Sequence, residues 1–305
     1  MTIILVFDTE TTGFTPLMTM PKTSKEDRDT TNKLKTALFH SKKPNVRAWS
    51  EWSERWNNII QISYILYNTD TNEFEAVDEY VDLSDELIEG FLSDESTHYT
   101  VRNALIELKN AKSRGESKQL TDVVHHFLAD FERADIIVGH NVEYDKNMVL
   151  AELMSLHLST RDKRYLDSFV RVQNSNKYVC TAQQGIDVCK IQMTGYNGKT
   201  YYKIPRLQEL YMHLFGHLPV EEKLHNALND VIVTFRCFYM IEYNDDVYNR
   251  GNREINSLID SITPRKQEEE GRGLKKHHKR KNKKSKNKRR HKGKTRRRII
   301  SSSSF

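Results

Sequence analysis

The run Ile3-Ile4-Leu5-Val6-Phe7 is continuous, apolar and rich in branched side chains. It predicts a buried central strand of the kind that α/β sheets carry, with helices over both faces. A strand starting this early leaves no room ahead of it for a signal peptide, so none is expected. Asp8 and Glu10 follow two apart, and the period of a strand puts both on one face. Two carboxylates in one small volume repel and push a pKa upward unless a hard divalent cation lies between them. Thr11, Thr12 and Gly13 then supply hydroxyls and backbone amides suited to a phosphate or a terminal sugar. The plainer reading of the same segment is a strand end with two solvated acids and a polar turn. The segment alone does not separate the two.

Asp135-Ile136-Ile137-Val138-Gly139 predicts a second short apolar strand, followed by His140-Asn141 and apolar residues at helical spacing from Tyr144 to Leu158. Asp145 falls in the first turn of that helix, where α/β sheets gather functional groups at the carboxyl ends of strands. An acid there is also a good cap for the helix dipole. Further on, His225-Asn226-Ala227-Leu228-Asn229-Asp230 leads into an apolar stretch ending near Tyr243. A helix from Asn226 puts His225 at its mouth and Asp230 about one turn inside. In isolation His225 reads as a cap or a surface residue.

Together these segments resemble the DEDDh 3′-to-5′ exonucleases, a ribonuclease H-like group that includes the proofreading subunit of bacterial replicative DNA polymerases and also viral members. Asp8-Thr9-Glu10-Thr11-Thr12-Gly13 matches the first signature, His140-Asn141-Val142-Glu143-Tyr144-Asp145 the second, and His225 with Asp230 five positions on the third. Ile204 to Tyr211, closing in Leu214-Phe215-Gly216, is similar to the helix that precedes the third motif in several relatives. The similarity covers residues 1 to 243. It departs at Tyr144, where Phe is commoner, and at Cys180-Thr181, where Asp-Thr is frequent.

The resemblance implies hydrolysis of the terminal phosphodiester of a nucleic acid with a free 3′ end, single-stranded at that end, releasing nucleoside monophosphates. Its catalytic set is Asp8, Glu10, Asp145, His225 and Asp230, with the four carboxylates as ligands to two Mg²⁺ or Mn²⁺ ions. Two ions roughly 3.5 to 4 Å apart serve the attacking water and the leaving oxygen, and hard oxygen ligands favour these metals over zinc. His225 would take the proton from the water, a task suited to a base with pKa near neutrality. Thr11, Thr12, Gly13, Phe14, His140 and Asn141 are the expected substrate contacts, with Phe14 against the terminal base or simply packed in its loop.

About 15 to 57 is read as an insertion, because the gap before the strand at Ile59 to Tyr67 far exceeds a hairpin loop. Residues 18 to 45 are mostly polar and are expected to be a mobile loop. All three tryptophans follow at Trp49, Trp52 and Trp56, on one face of a helix if one forms. They would either grip substrate bases or pack against the sheet. Packing is preferred, since large aromatics at helical spacing are usually core residues.

Charge divides the chain into a domain, 1 to 263, and a tail, 264 to 305. From Pro264 to Phe305 there are 19 Lys and Arg against three Glu, a net of +16. The remainder holds 29 basic against 39 acidic groups, a net of −10. The tail has too little apolar content to offset its ordering entropy and is expected to be disordered. Its field suits nucleic-acid phosphates through counterion release, or an acidic partner or nuclear import. Cys180, Cys189 and Cys237 are odd in number and lack zinc spacing, as in a reducing intracellular compartment, cytoplasmic or nuclear. No apolar run approaches a membrane span.

The expected fold is α/β: a ribonuclease H-like mixed five-stranded sheet flanked by helices. Strands are predicted at Ile3 to Asp8, Ile59 to Tyr67, Glu75 to Leu83, Asp135 to Gly139 and Tyr178 to Thr181. Helices are predicted at Thr121 to Arg133, Tyr144 to Leu158, Arg206 to Phe215 and Asn226 to Tyr243. Two other functions fit parts of the pattern: a catalytically weak nucleic-acid-binding or recruitment module, and an endonuclease or strand-transfer enzyme. Occupancy of all five catalytic positions speaks against the first, and the His225-to-Asp230 pair against the second.

Overall fold

A computed structural model describes residues 1–14, 20, 23–39, 43–52, 55–195, 198–220 and 226–264 of the chain. Its first half runs β1 (Ile3–Thr11), α1 (Lys25–Phe39), α2 (Val46–Trp52), β2 (Ile59–Asn68), β3 (Phe74–Val81), α3 (Asp85–Ser93), α4 (Tyr99–Ser113), β4 (Ser117–Lys118), α5 (Leu120–Arg133) and β5 (Ile136–Gly139). There follow α6 (Val142–Thr160), α7 (Lys163–Asn174), β6 (Tyr178–Cys180), α8 (Thr181–Cys189), β7 (Gln192–Thr194), β8 (Thr200–Tyr202), α9 (Leu207–Phe215), α10 (Ala227–Tyr243) and α11 (Arg253–Ile262). Residues 1–264 belong to one unit, Met1–Arg265. The tail from Arg265, with its expected disorder, lies outside the described residues.

Six strands form one mixed sheet in the order β4-β3-β2-β1-β5-β6, and β7 and β8 form a separate ribbon. Strand β2 runs antiparallel to both neighbours, while β5 and β6 run parallel to β1. The five predicted strands are all present. The sixth, β4, is two residues long and pairs with the end of β3, too short to carry any periodicity in sequence.

Alternation along β1 sorts the molecule into layers. Leu5 and Phe7 belong to a core shared with α1 to α7, including Leu105, Phe127, Leu150 and Phe169. Ile4 and Val6 belong to a second core with α9, α10 and α11, including Tyr211, Phe235, Phe238 and Ile259. Each of these fully buried side chains contributes about 1.5–3 kcal/mol relative to exposure. This two-sided burial is why the strand reads as unbroken apolar sequence.

The inserted segment differs from its expected loop character. Lys25–Phe39 is helical, with only Thr31, Leu38 and Phe39 buried, so its apolar face is too thin to register as a period. Helix α2 ends at Trp52, and Trp56 lies beyond it. The Trp49 and Trp56 rings nevertheless stack, 5.1 Å apart and 19° from parallel. Trp49 is buried, edge-on to Phe39 and Phe169, and its indole N–H donates to Leu38 O at 3.1 Å. Its ring is closed off from any base. Trp52 is half-buried under the Arg55 guanidinium, 4.5 Å from the ring centroid.

No described helix is long and apolar enough to cross a membrane.

Candidate active site

Asp8 and Glu10 share the parity of Ile4 and Val6, so both face the layer that contains α10. That helix starts at Asn226, whose side chain accepts from Asn229 N–H, the usual way to satisfy a first-turn amide. Asp230 sits one turn in, its N–H bonded to Asn226 O at 3.1 Å. One carboxylate oxygen each from Asp8, Glu10 and Asp230 come together, all within 4.8 Å of one another. One strand and a helix from the far end of the domain thus converge on one point.

This crowding has an electrostatic cost. Asp8 is held well above the usual carboxylate range, first by burial and then by Asp145, Asp230 and Glu10. Glu10 is pushed up to about 8 by burial, then by Asp230 and Asp145. The polar residues opposite them on β2 are directed elsewhere. Ser63 pairs with Asp8 and Gln61 with Glu10, yet both side chains donate to Asp78, at 2.5 and 2.6 Å. A set of carboxylate oxygens with so much negative charge fits a hard divalent cation, which relieves the repulsion directly.

Asp145 stands apart from that triad for a reason visible in the strand period. It lies on α6, in the opposite layer, and meets β1 through Thr9, whose parity is the other one. Its Oδ1 accepts from Thr9 N–H at 3.0 Å and from the Thr9 hydroxyl at 2.7 Å. Burial raises Asp145 to about 7 against the lowering effect of those bonds, and Asp230 adds to the rise. It therefore acts on Asp8 and Glu10 through charge and holds β1 in place by contact.

The turn after β1 is tightly held. The Thr11 hydroxyl lies 2.8 Å from Gly13 O and 2.6 Å from Tyr144 Oη, and the Tyr144 hydroxyl donates to Gly13 O at 2.9 Å. Thr12 Oγ1 accepts from Asn58 N–H at 2.9 Å. Both threonines are buried, so their hydroxyls serve the turn itself. The backbone around Gly13 borders the site, and Phe14 is 56% exposed. Tyr144 is a structural bolt on this turn.

These residues line a cleft of about 440 Å³ together with Glu10, Phe91, Asp94, Ser96, Thr97, His98, Thr100 and Val101, within the ordinary range for small-ligand sites. The far wall, the loop from α3 to α4, carries no motif that marks it in the sequence. His98 there caps α4, its Nδ1 meeting Thr100 Oγ1 at 2.8 Å.

His140 is turned to a structural task. Its Nδ1 meets Thr181 Oγ1 at 3.0 Å and its Nε2 meets Pro205 O at 3.2 Å. Burial lowers its pKa to about 4, so it is neutral and Nε2–H donates to the carbonyl. Asn141 adopts φ 70°, precedes α6 without a side-chain capping bond, and is exposed. His225 lies outside the described residues.

No protein-family model matches the chain, and comparison with curated proteins gives no match.

Proposed function

We propose that the chain is a metal-dependent 3′-to-5′ exonuclease of the DEDDh type on a ribonuclease H-like fold. The observation that carries this reading is the meeting of Asp8, Glu10 and Asp230 oxygens within 4.8 Å, beside a cleft of about 440 Å³. The sheet order supports the fold reading, with three antiparallel strands and two parallel ones arranged β3-β2-β1-β5-β6.

Bound Mg²⁺ or Mn²⁺ would supply an activated water and charge stabilisation for the leaving 3′ oxygen. Asp8, Glu10 and Asp230 would hold the cation. Asp145 adds negative charge behind them and, through Thr9, fixes the strand that carries two of the ligands. Phe14, exposed at the cleft edge, offers a face to the terminal base. The exposed Asn141 side chain offers an amide to the last sugar or phosphate. His225 is assigned as the base that takes the water proton, on the strength of its place five residues before Asp230.

The test is release of labelled mononucleotide from a 3′-labelled oligonucleotide with Mg²⁺. Wild-type protein is expected to release it from the first time point. Asp8→Ala and Asp230→Ala are expected to lose at least a thousandfold, about 4 kcal/mol of barrier, with thermal stability retained. Internal fragments, binding without product, or full activity in either variant would overturn the proposal.

A further inference from the structure

The β7–β8 ribbon combines exposed aromatics with positive charge in an acidic domain. Residues 190–206 contain Lys190, Lys199, Lys203 and Arg206 and no Asp or Glu. Glu209 pairs with Lys203, at 2.5 Å, which leaves the segment at +3 while residues 1 to 263 as a whole carry −10. Met193 lies opposite Tyr201 and Gln192 opposite Tyr202, so the two tyrosines point to opposite faces. They are 54% and 51% exposed, and Met193 is 44% exposed. Both faces of the ribbon are open.

A free two-stranded ribbon is marginal in water, and this one is anchored at its root. Lys203 N–H donates to Ile191 O at 2.9 Å. Pro205 packs on Gly185 so closely that a Cβ there would come within 2.6 Å of its ring. The Pro205 carbonyl accepts from His140 Nε2 at 3.2 Å. His140 immediately precedes Asn141 and the helix that carries Asp145, so the root of the ribbon is tied to the segment that leads into that helix.

We propose that this ribbon binds the single-stranded nucleic acid upstream of its 3′ end, with bases stacked on Tyr201 and Tyr202 and phosphates drawn by the lysines. The proposal rests on the nuclease reading for its location and deepens it by naming where the strand runs. Exposed tyrosines favour unpaired bases, whose faces are available, over a duplex, whose faces are stacked. Each stacked base contributes about 1–3 kcal/mol, roughly a fivefold to hundredfold change in affinity per tyrosine.

The experiment measures binding of a fluorescent single-stranded oligonucleotide to the full chain in EDTA, over a salt series. The salt series separates the ribbon from the basic tail, since the tail's attraction weakens steeply with salt and stacking does not. Tyr201→Ala with Tyr202→Ala is expected to weaken binding at least tenfold at the highest salt, with an unchanged melting temperature. Tyr201→Phe with Tyr202→Phe should restore it. Equal affinity of the alanine variant and wild type overturns the proposal, as does equal binding of duplex, or a phenylalanine variant as weak as the alanine one. Wild-type hydrolysis of a dinucleotide is assayed in parallel. Its absence would sink the nuclease reading alone, because the binding arm needs no turnover.

Discussion

Tyr144 and Glu152 show what single side chains do for this site. The Tyr144 hydroxyl ties Thr11 and Gly13, and so fixes the end of the strand that presents Asp8 and Glu10. Tyr144→Phe keeps the ring and removes two hydrogen bonds, each contributing about 0.5–1.5 kcal/mol. A threefold to thirtyfold fall in nuclease rate is expected, with a melting temperature lower by a few degrees; an unchanged rate in steady-state assays would remove the hydroxyl from any positioning role. Glu152 is buried on α6 and accepts from Ile59 N–H at 2.9 Å, at the start of β2. Burial pushes it up to about 7 from the usual 4.5. Between those values the folded state holds the proton more tightly than the unfolded one, so its contribution to stability falls as pH rises through that window. Glu152→Gln retains an acceptor and loses the buried charge. It should be more stable than wild type at pH 8, by up to about 3 kcal/mol at 1.36 kcal/mol per pH unit, and lose that advantage near pH 4. Parallel denaturation curves for the two proteins across pH check this, and a stability difference that does not change with pH would refute it.

Elements were legible in the sequence where burial imposed a period. The run Ile3 to Phe7, the two-sided strand Ile59–Asn68 and the apolar helix Ala227–Tyr243 all stand out, and the structure has them within a few residues of expectation. Helices α1, α3, α4, α7, α8 and α11 carry no clear period in the sequence, because polar and charged residues dominate them or their buried stripe is narrow. Helix α4, for instance, buries Ala104, Leu105, Leu108 and Ala111 among lysines and asparagines. At the site, the strand period predicted that Asp8 and Glu10 share a face, while the separation of Asp145 by Thr9 depends on which layer α6 occupies, a tertiary fact. The tryptophan segment gives the element-scale test. Trp49 fills a pocket between Phe39, Trp56 and Phe169, so Trp49→Ala should cost about 3–5 kcal/mol in urea denaturation, whereas Trp52→Ala should cost about 1 kcal/mol or less. If oligonucleotide binding at fixed stability weakened more in the Trp49 variant than in the Trp52 variant, the packing assignment would be wrong.

At the scale of the whole chain the decisive property is the mismatch of charge between its parts. A domain of net −10 with a cluster of acids at its site repels a polyanion, and residues 264 to 305 carry +16. At low ionic strength that repulsion reaches tens of ångströms and at 1 M salt only about 3 Å. Deleting residues 264 to 305 leaves every proposed catalytic residue in place, so kcat should be unchanged. KM for single-stranded substrate should rise about tenfold or more at low salt, and the gap to the full chain should close as salt increases. The slope of log KM against log salt should flatten by about 0.7 for each phosphate the tail neutralises. An unchanged low-salt KM would assign the tail to nuclear import or to an acidic protein partner, and the acidic domain would then depend on its own ribbon and on divalent cations to hold its substrate.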